Sequence, residues 1–248
     1  MRRIAIYGKG GIGKSTICSN LASAMAADGF KVMQIGCDPK ADSTALHRKG
    51  VKLPTVLDTM RAKGSDWGLD EVVHVSGDGV FCIEAGGPVP GLGCAGRGII
   101  TALEKLEEKG LYEKYEPDVI LYDVLGDVVC GGFSMPMRSG YADTVYVVTS
   151  GENMSIYAVA NIAMAISNFR GRGYAKLGGL ILNRRDVRNE QDKVRELAAD
   201  LETEIISDIP RSSDIQDAED AGETIVRLMP GSEVSEIIKK TSRRILSE

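Results

Sequence analysis

The sequence predicts an α/β fold, a mostly parallel β-sheet flanked by helices on both faces. Three observations predict it. Short apolar runs rich in Val, Ile and Tyr alternate with longer stretches of helical periodicity. The first run, "RRIAIYG", passes through the glycine-rich turn "KGGIG" into a helical pattern, the strand–loop–helix order of a βα unit. The 248 residues, 43% of them hydrophobic, can bury one sizeable core, so a single domain over 1–248 is expected.

In chain order, strands are read at "RRIAIYG", "KVMQIGC", "GVFCIEAG", "PDVILYDV", "ADTVYVVTS", "KLGGLILN" and "TEIISDI". Such near-continuous apolar runs suit strands covered on both faces. Helices are read at about 14–29, 97–110, 154–170, 188–202 and 232–246, the last opening after Pro230-Gly231 with Ser232 as its cap. No internal repeat, low-complexity tract or linker interrupts the pattern.

A formal charge of −5, with acidic and basic residues interspersed, offers no broad basic face for nucleic acid and no polybasic membrane anchor. No apolar run approaches the roughly 20 residues of a membrane span, and Met1-Arg2-Arg3 leads directly into a strand without a signal peptide. The expectation is a cytoplasmic protein with neither nucleic acid nor membrane as partner. The 5 cysteines lack framework spacing, so core packing, metal binding or catalysis are the roles to weigh.

In a parallel sheet, ligands gather beyond the carboxyl ends of the strands. Four polar loops fall there: "GKGGIGKST", "CDPKADST", "EAGGPVPGLGCAGRG" and "DVLGDVVCGGF". Within the first, Gly8, Lys9, Gly10, Gly11, Ile12, Gly13, Lys14 and Ser15 satisfy G-x-x-x-x-G-K-[ST] between a strand and a helix. The glycines let backbone N–H groups turn onto a polyphosphate, Lys14 reaches the β/γ-phosphates, and the Ser15 hydroxyl serves Mg²⁺. Lys9 is poorly placed to share those phosphates and could serve a neighbour's. The form "GKGGIGKS" resembles the deviant Walker A type of P-loop NTPase, whose members dimerise face to face over two nucleotides with this lysine crossing to the partner's phosphates.

Asp38, Asp42, Asp123 and Asp127 lie at the ends of the next strands, where carboxylates hold Mg²⁺ through water and orient an attacking water. Asp123, after "VILY", has the place of a Walker B carboxylate; ordinary turn or cap aspartates are the alternative. Cys18, Cys37 and Cys82 sit in helix or strand and read as packed interior residues. Cys94 and Cys130 instead lie among glycines, where backbone amides can approach sulfur and leave room for something larger than a thiol. A [4Fe–4S] cluster takes four thiolates. One chain supplies two, so a two-fold dimer, which Lys9 also suggests, would complete one cluster on its axis. From spacing alone, a zinc site and two unliganded cysteines remain alternatives.

The motifs "YGKGGIGKST", "CDPKADST", "GGPVPGLGCAGRG" and "YDVLGDVVCGGFSMP", in this order, resemble the iron proteins of nitrogenase and their close relatives. The likeness extends through "VTSGENMSIYAVANI" and "LGGLILNRR". It implies a homodimer that binds two MgATP and one [4Fe–4S] cluster. Such a dimer passes low-potential electrons, received from a ferredoxin or flavodoxin, to a larger nitrogenase-like catalytic component. Carried over, Cys94 and Cys130 are the cluster ligands and the phosphate loop runs from Gly8 to Thr16. Lys9, Asp38, Asp42, Asp123 and Asp127 are nucleotide-sensing or hydrolytic positions, and Asn183 and Gln216, within "IPRSSDIQ", lie near the adenine. Arg97 matches the arginine that some members have ADP-ribosylated to block docking.

Departures from the family pattern leave the partner open. Val89 stands where glutamate is common, and family members usually continue past the position of Glu248 with a tail that embraces the dimer. Ala41 is unlike the histidine typical of the protochlorophyllide and chlorin reductases. A partitioning or positioning ATPase of the same P-loop class is one competing reading, but it leaves Cys94 and Cys130 unexplained. An iron–sulfur cluster carrier is the other, and such carriers usually place a C-x-x-C pair near the C-terminus, which this chain lacks.

Overall fold

The apolar run that begins the chain becomes β1 (Arg2–Gly8), buried from Ile4 to its end and flanked by strands on both sides. The computed structural model describes residues 1–88, 95–126, 135–137, 141–168 and 174–247. After β1 come α1 (Lys14–Ala27), β2 (Val32–Cys37), α2 (Val56–Lys63), β3 (His74–Val75) and β4 (Phe81–Glu84). Then follow α3 (Ala95–Glu108), α4 (Leu111–Tyr115), β5 (Val119–Val124), β6 (Thr144–Thr149) and α5 (Asn153–Asn168). The remainder is β7 (Lys176–Asn183), α6 (Glu190–Asp200), β8 (Ile205–Ile209), α7 (Ser213–Asp220), α8 (Ile225–Leu228) and α9 (Glu233–Ser247).

Among the described residues the strands form one eight-stranded sheet in the order β3-β4-β2-β5-β1-β6-β7-β8. Every pairing is parallel except that of β3 with β4. All seven expected strands are present. The eighth, β3, is two residues long and too short for an alternation of polarity to show. All five expected helices form as well, with α5 starting at Asn153 and α9 capped as expected, Ser232 Oγ accepting from the Ser235 N–H at 3.2 Å. Unexpected are α2, α4, α7 and α8, which at four to eight residues are shorter than the window over which a 3.6-residue period becomes visible. Even so, α2 carries a local signal, because Thr55 Oγ1 accepts from the Asp58 N–H at 3.0 Å as an N-cap.

Two apolar layers cover the sheet. On one face α3 presents Ile99, Ala102, Leu103 and Leu106, at helical spacing, to Met33, Ile35, Ile120 and Tyr122. On the other, Ile17, Leu21 and Met25 of α1 pack with Val234, Ile238 and Ile245 of α9. Helix α1 packs against both the sheet and α9, which explains why its sequence is apolar on nearly every side. Burying each such Ile or Leu contributes about 1.5–3 kcal/mol. No helix among the described residues is long and apolar enough to cross a membrane.

Candidate nucleotide-binding site

Register brings the loops together. Asp123 of β5 lies beside Ile6 of β1 and Gly36 of β2, so the loops after these three central strands open at one edge. They surround a cavity of about 920 Å³, completed by the end of β7 and by α7. This is within the usual size range for a small-molecule site.

The phosphate loop is held from two sides. Gly13 has φ +89°, and a Cβ there would fall 2.6 Å from Asn183 Nδ2. That close approach lets Asn183 Nδ2 donate to the Ile12 carbonyl at 2.7 Å, while Arg185 Nη2 donates to the Gly11 carbonyl at 2.6 Å. The buried carboxylate of Glu190 in turn accepts from the Gly151 and Arg185 N–H groups, which fixes the chain leaving β6 and β7. On the other side a Cβ at Gly126 would lie 2.6 Å from the Gly8 carbonyl oxygen. The chain leaving Asp123 therefore rests directly on the first residue of the phosphate loop. Helix α1 begins with Ile17 N–H bonded to the Gly13 carbonyl, and its N-terminus faces the cavity, favourable to an anion.

Lys14 does not point into open space. Its Nζ donates to Asp123 Oδ1 at 2.8 Å, and both side chains are buried. Burial works against the ammonium charge, but Asp123 outweighs it and holds Lys14 above the usual lysine range. The other oxygen, Oδ2, accepts from Ser43 Oγ at 2.6 Å.

The remaining expected residues divide between cavity wall and turn. Lys9, Gly10, Gly11, Ser15 and Thr16 line the cavity, as do Asp38, Asp42, Asn183 and Gln216. Gly8 and Ile12 lie behind it, Ile12 in the apolar layer. Asp38 also accepts from the Lys40 N–H at 2.9 Å, an Asx turn that shapes the loop, while Asp42 is exposed at the rim. Thr16 Oγ1 donates to Glu219 of α7 at 2.5 Å. Reading the sequence missed Arg185 and Arg211, which add positive charge to the wall. Their signal was basic residues directly after the strands "GGLILN" and "IISDI".

Ser15, Asp38, Asp42 and Asp123 are hard oxygen donors, the kind Mg²⁺ takes. No group of three His, Cys, Asp or Glu among the described residues gathers as a ready-made cage. The thiols of Cys18, Cys37 and Cys82 are buried, and burial pushes all three up, Cys82 to about 12. They are packed residues, as expected, and poor sources of thiolate. Cys94, Cys130, Asp127 and Val89 lie outside the described residues. Arg97 is exposed in the first turn of α3.

A family model described as "4Fe-4S iron sulfur cluster binding proteins, NifH/frxC family" matches residues 2–248. The chain is 49% identical to the nitrogenase iron protein of Methanospirillum hungatei over 250 residues, covering 100% of this chain and 88% of that one. It is 46% identical to nitrogenase iron protein 2 of Methanothermococcus thermolithotrophicus over 257 residues, covering 99% and 88%. Among solved structures it superposes on the cell-division ATPase MinD of Pyrococcus furiosus with a TM-score of 0.75 at 20% identity, covering 100% and 99% of the two chains. MinD of Aquifex aeolicus gives a TM-score of 0.71 at 23% identity, covering 100% and 98%. The MinD likeness establishes the P-loop fold, and the match over residues 2–248 establishes the family: the chain belongs to the NifH/frxC family of 4Fe-4S iron–sulfur cluster binding proteins.

Proposed function

We propose that this chain, as one domain over 1–248, is an ATP-dependent low-potential electron donor. Two copies bridge one [4Fe–4S] cluster and couple MgATP hydrolysis to one-electron transfer into a larger nitrogenase or nitrogenase-like component. The observation that carries the reading is the seat of Gly126 on Gly8. Through it, the chain leaving Asp123 rests on the phosphate loop at Gly126, four residues before Cys130 in sequence, which supports a coupling of phosphate chemistry to the thiol-bearing segment. The names of the relatives support the choice of partner class.

The residues take the following parts. Lys14 leaves Asp123 for the β/γ-phosphates, backbone N–H groups from Gly8 to Thr16 cradle the chain of phosphates, and Ser15 and the freed Asp123 serve Mg²⁺. Lys9 reaches the phosphates bound by the partner subunit. Asp38 and Asp127 orient the attacking water, Asp42 senses the bound nucleotide from the rim, and Asn183 and Gln216 lie at the adenine end. Cys94 and Cys130 from each subunit complete the four thiolates of the cluster, which supplies one-electron redox chemistry. Arg97 lies on the docking face, near the cluster-bearing loop in sequence. A ferredoxin or flavodoxin recharges the dimer in the cytoplasm.

The test is anaerobic purification, iron analysis and EPR of the reduced protein with and without MgATP. About four irons per dimer and a reduced-cluster signal altered by MgATP are expected. A colourless dimer without iron after competent reconstitution would refute the donor reading.

A further inference from the structure

Behind Asp123 the core contains a row of polar side chains that the phosphate motif does not require. Gln34 on β2 is wholly buried, as is Ser19 on α1, and Ser43 and His47 are nearly so. Gln34 Nε2 lies 2.9 Å from the Ser43 carbonyl, 3.0 Å from Ser43 Oγ and 3.1 Å from Ser19 Oγ. Gln34 Oε1 lies 3.0 Å from His47 Nε2. Beyond it, His47 Nδ1 is 3.3 Å from Asp78 Oδ2, and Asp78 is also held by the hydroxyls of Ser23 and Ser76. Burial alone would raise the Asp78 carboxyl, but His47, Ser23 and Ser76 together hold it well below the usual carboxylate range.

The direction of this row follows from one atom. A backbone carbonyl only accepts, so the Gln34 atom facing Ser43 O is the amide nitrogen, and Oε1 faces the ring. His47 Nε2 must therefore carry a hydrogen and donate. Ser43, whose hydroxyl hydrogen goes to Asp123, receives from Gln34 on a lone pair. Each donor thus points toward Asp123, from His47 to Gln34 to Ser43, and bonds aligned in this way polarise one another. Such a row is costly to bury in an apolar layer, so its end point is informative. It ends on the one carboxylate that loses its partner when Lys14 turns to phosphate.

We propose that Gln34 and His47 are positioning residues of the Mg²⁺–phosphate site, holding Ser43 so that Asp123 keeps its place when Lys14 moves to the nucleotide. The inference rests on the MgATP reading above and adds two residues that touch neither nucleotide nor metal. It accounts for a histidine and a glutamine inside the core on the α1 side of the sheet, where packing alone favours apolar side chains.

The test is calorimetric binding of ADP, chosen so that hydrolysis does not intrude, with Mg²⁺ and with excess EDTA. Gln34→Met keeps the volume and removes the donor; His47→Phe keeps a ring and removes the donor. Each is expected to bind MgADP about 10-fold more weakly, with metal-free ADP changed by less than about twofold. The double variant is expected to lose no more than either single one, because both break one chain. Equal losses with and without Mg²⁺, additive losses, or wild-type affinity would each overturn the proposal. If the core variants fail to fold, Ser43→Ala decides, since wild-type MgADP affinity there overturns it equally. Wild-type protein that binds no nucleotide would instead refute the MgATP reading itself, whereas binding by wild type and variants alike refutes only this inference.

Discussion

Glu84 offers a sharp test of the electrostatics beside the site. It ends β4 with its side chain fully buried. Oε1 accepts from the Thr44 N–H at 2.8 Å and from Thr44 Oγ1 at 2.6 Å, and Arg48 Nη2 stands 3.7 Å away. Oε2 meets no donor and presses against Gly36, where a Cβ would overlap it. Burial raises its carboxyl from 4.5 to about 7, against the pull of Thr44 and Arg48. The folded chain therefore holds this proton more tightly than the unfolded one. Stability from it is fully present below the unfolded value of 4.5 and is lost as pH rises through about 7. At about 1.36 kcal/mol per pH unit of difference, the loss amounts to about 3 kcal/mol. Glu84→Gln imitates the neutral acid and removes this dependence. Measured by thermal or urea unfolding, the variant should gain on wild type by about 3 kcal/mol between pH 4 and pH 8. For a chain of this size that corresponds to about 6–12 °C in Tm. Other titrating groups cancel in the difference. A gap between variant and wild type that stays constant across this range would refute the reasoning.

Other substitutions separate the roles of the site. Lys14→Met should abolish MgATP binding and, by leaving Asp123 buried without its cation, cost about 3–5 kcal/mol of stability; calorimetry and urea unfolding read the two effects separately. Gly126→Ala forces a Cβ to within 2.6 Å of the Gly8 carbonyl oxygen, a backbone atom that cannot yield cheaply, and should weaken MgATP binding more than Gly231→Ala, where the added Cβ meets nothing. Iron content should fall to background in Cys94→Ser and Cys130→Ser but stay at the wild-type level in Cys82→Ala. Asp127→Asn should slow ATP-driven electron transfer while the cluster assembles normally, which partner-stimulated turnover and EPR measure together.

The seven main strands, the five long helices and the phosphate loop were legible in the sequence because each is written in adjacent residues. An apolar run makes a buried strand, a 3.6-residue period makes a helix, and Gly8 to Ser15 form their loop between one strand and one helix. Cys94 and Cys130 stood out for the same local reason, their glycine-rich flanks. The two-residue strand β3 and the helices of four to eight residues, such as α4, have no room for a period and emerged only in three dimensions. Which side chains meet was likewise beyond local pattern. Lys14 and Asp123 are 109 residues apart in sequence, and Arg185 reaches Gly11 across 174. Both contacts depend on the order of strands in the sheet, the second on the register of β1, β6 and β7 and the first on that of β1, β2 and β5. The same register brings His47, Gln34 and Ser43 into line behind Asp123. Sequence by itself determined which chemical groups stand at the carboxyl edge, because strand ends are local features; only the tertiary structure decided their partners, because pairing across a sheet is a property of its order and register.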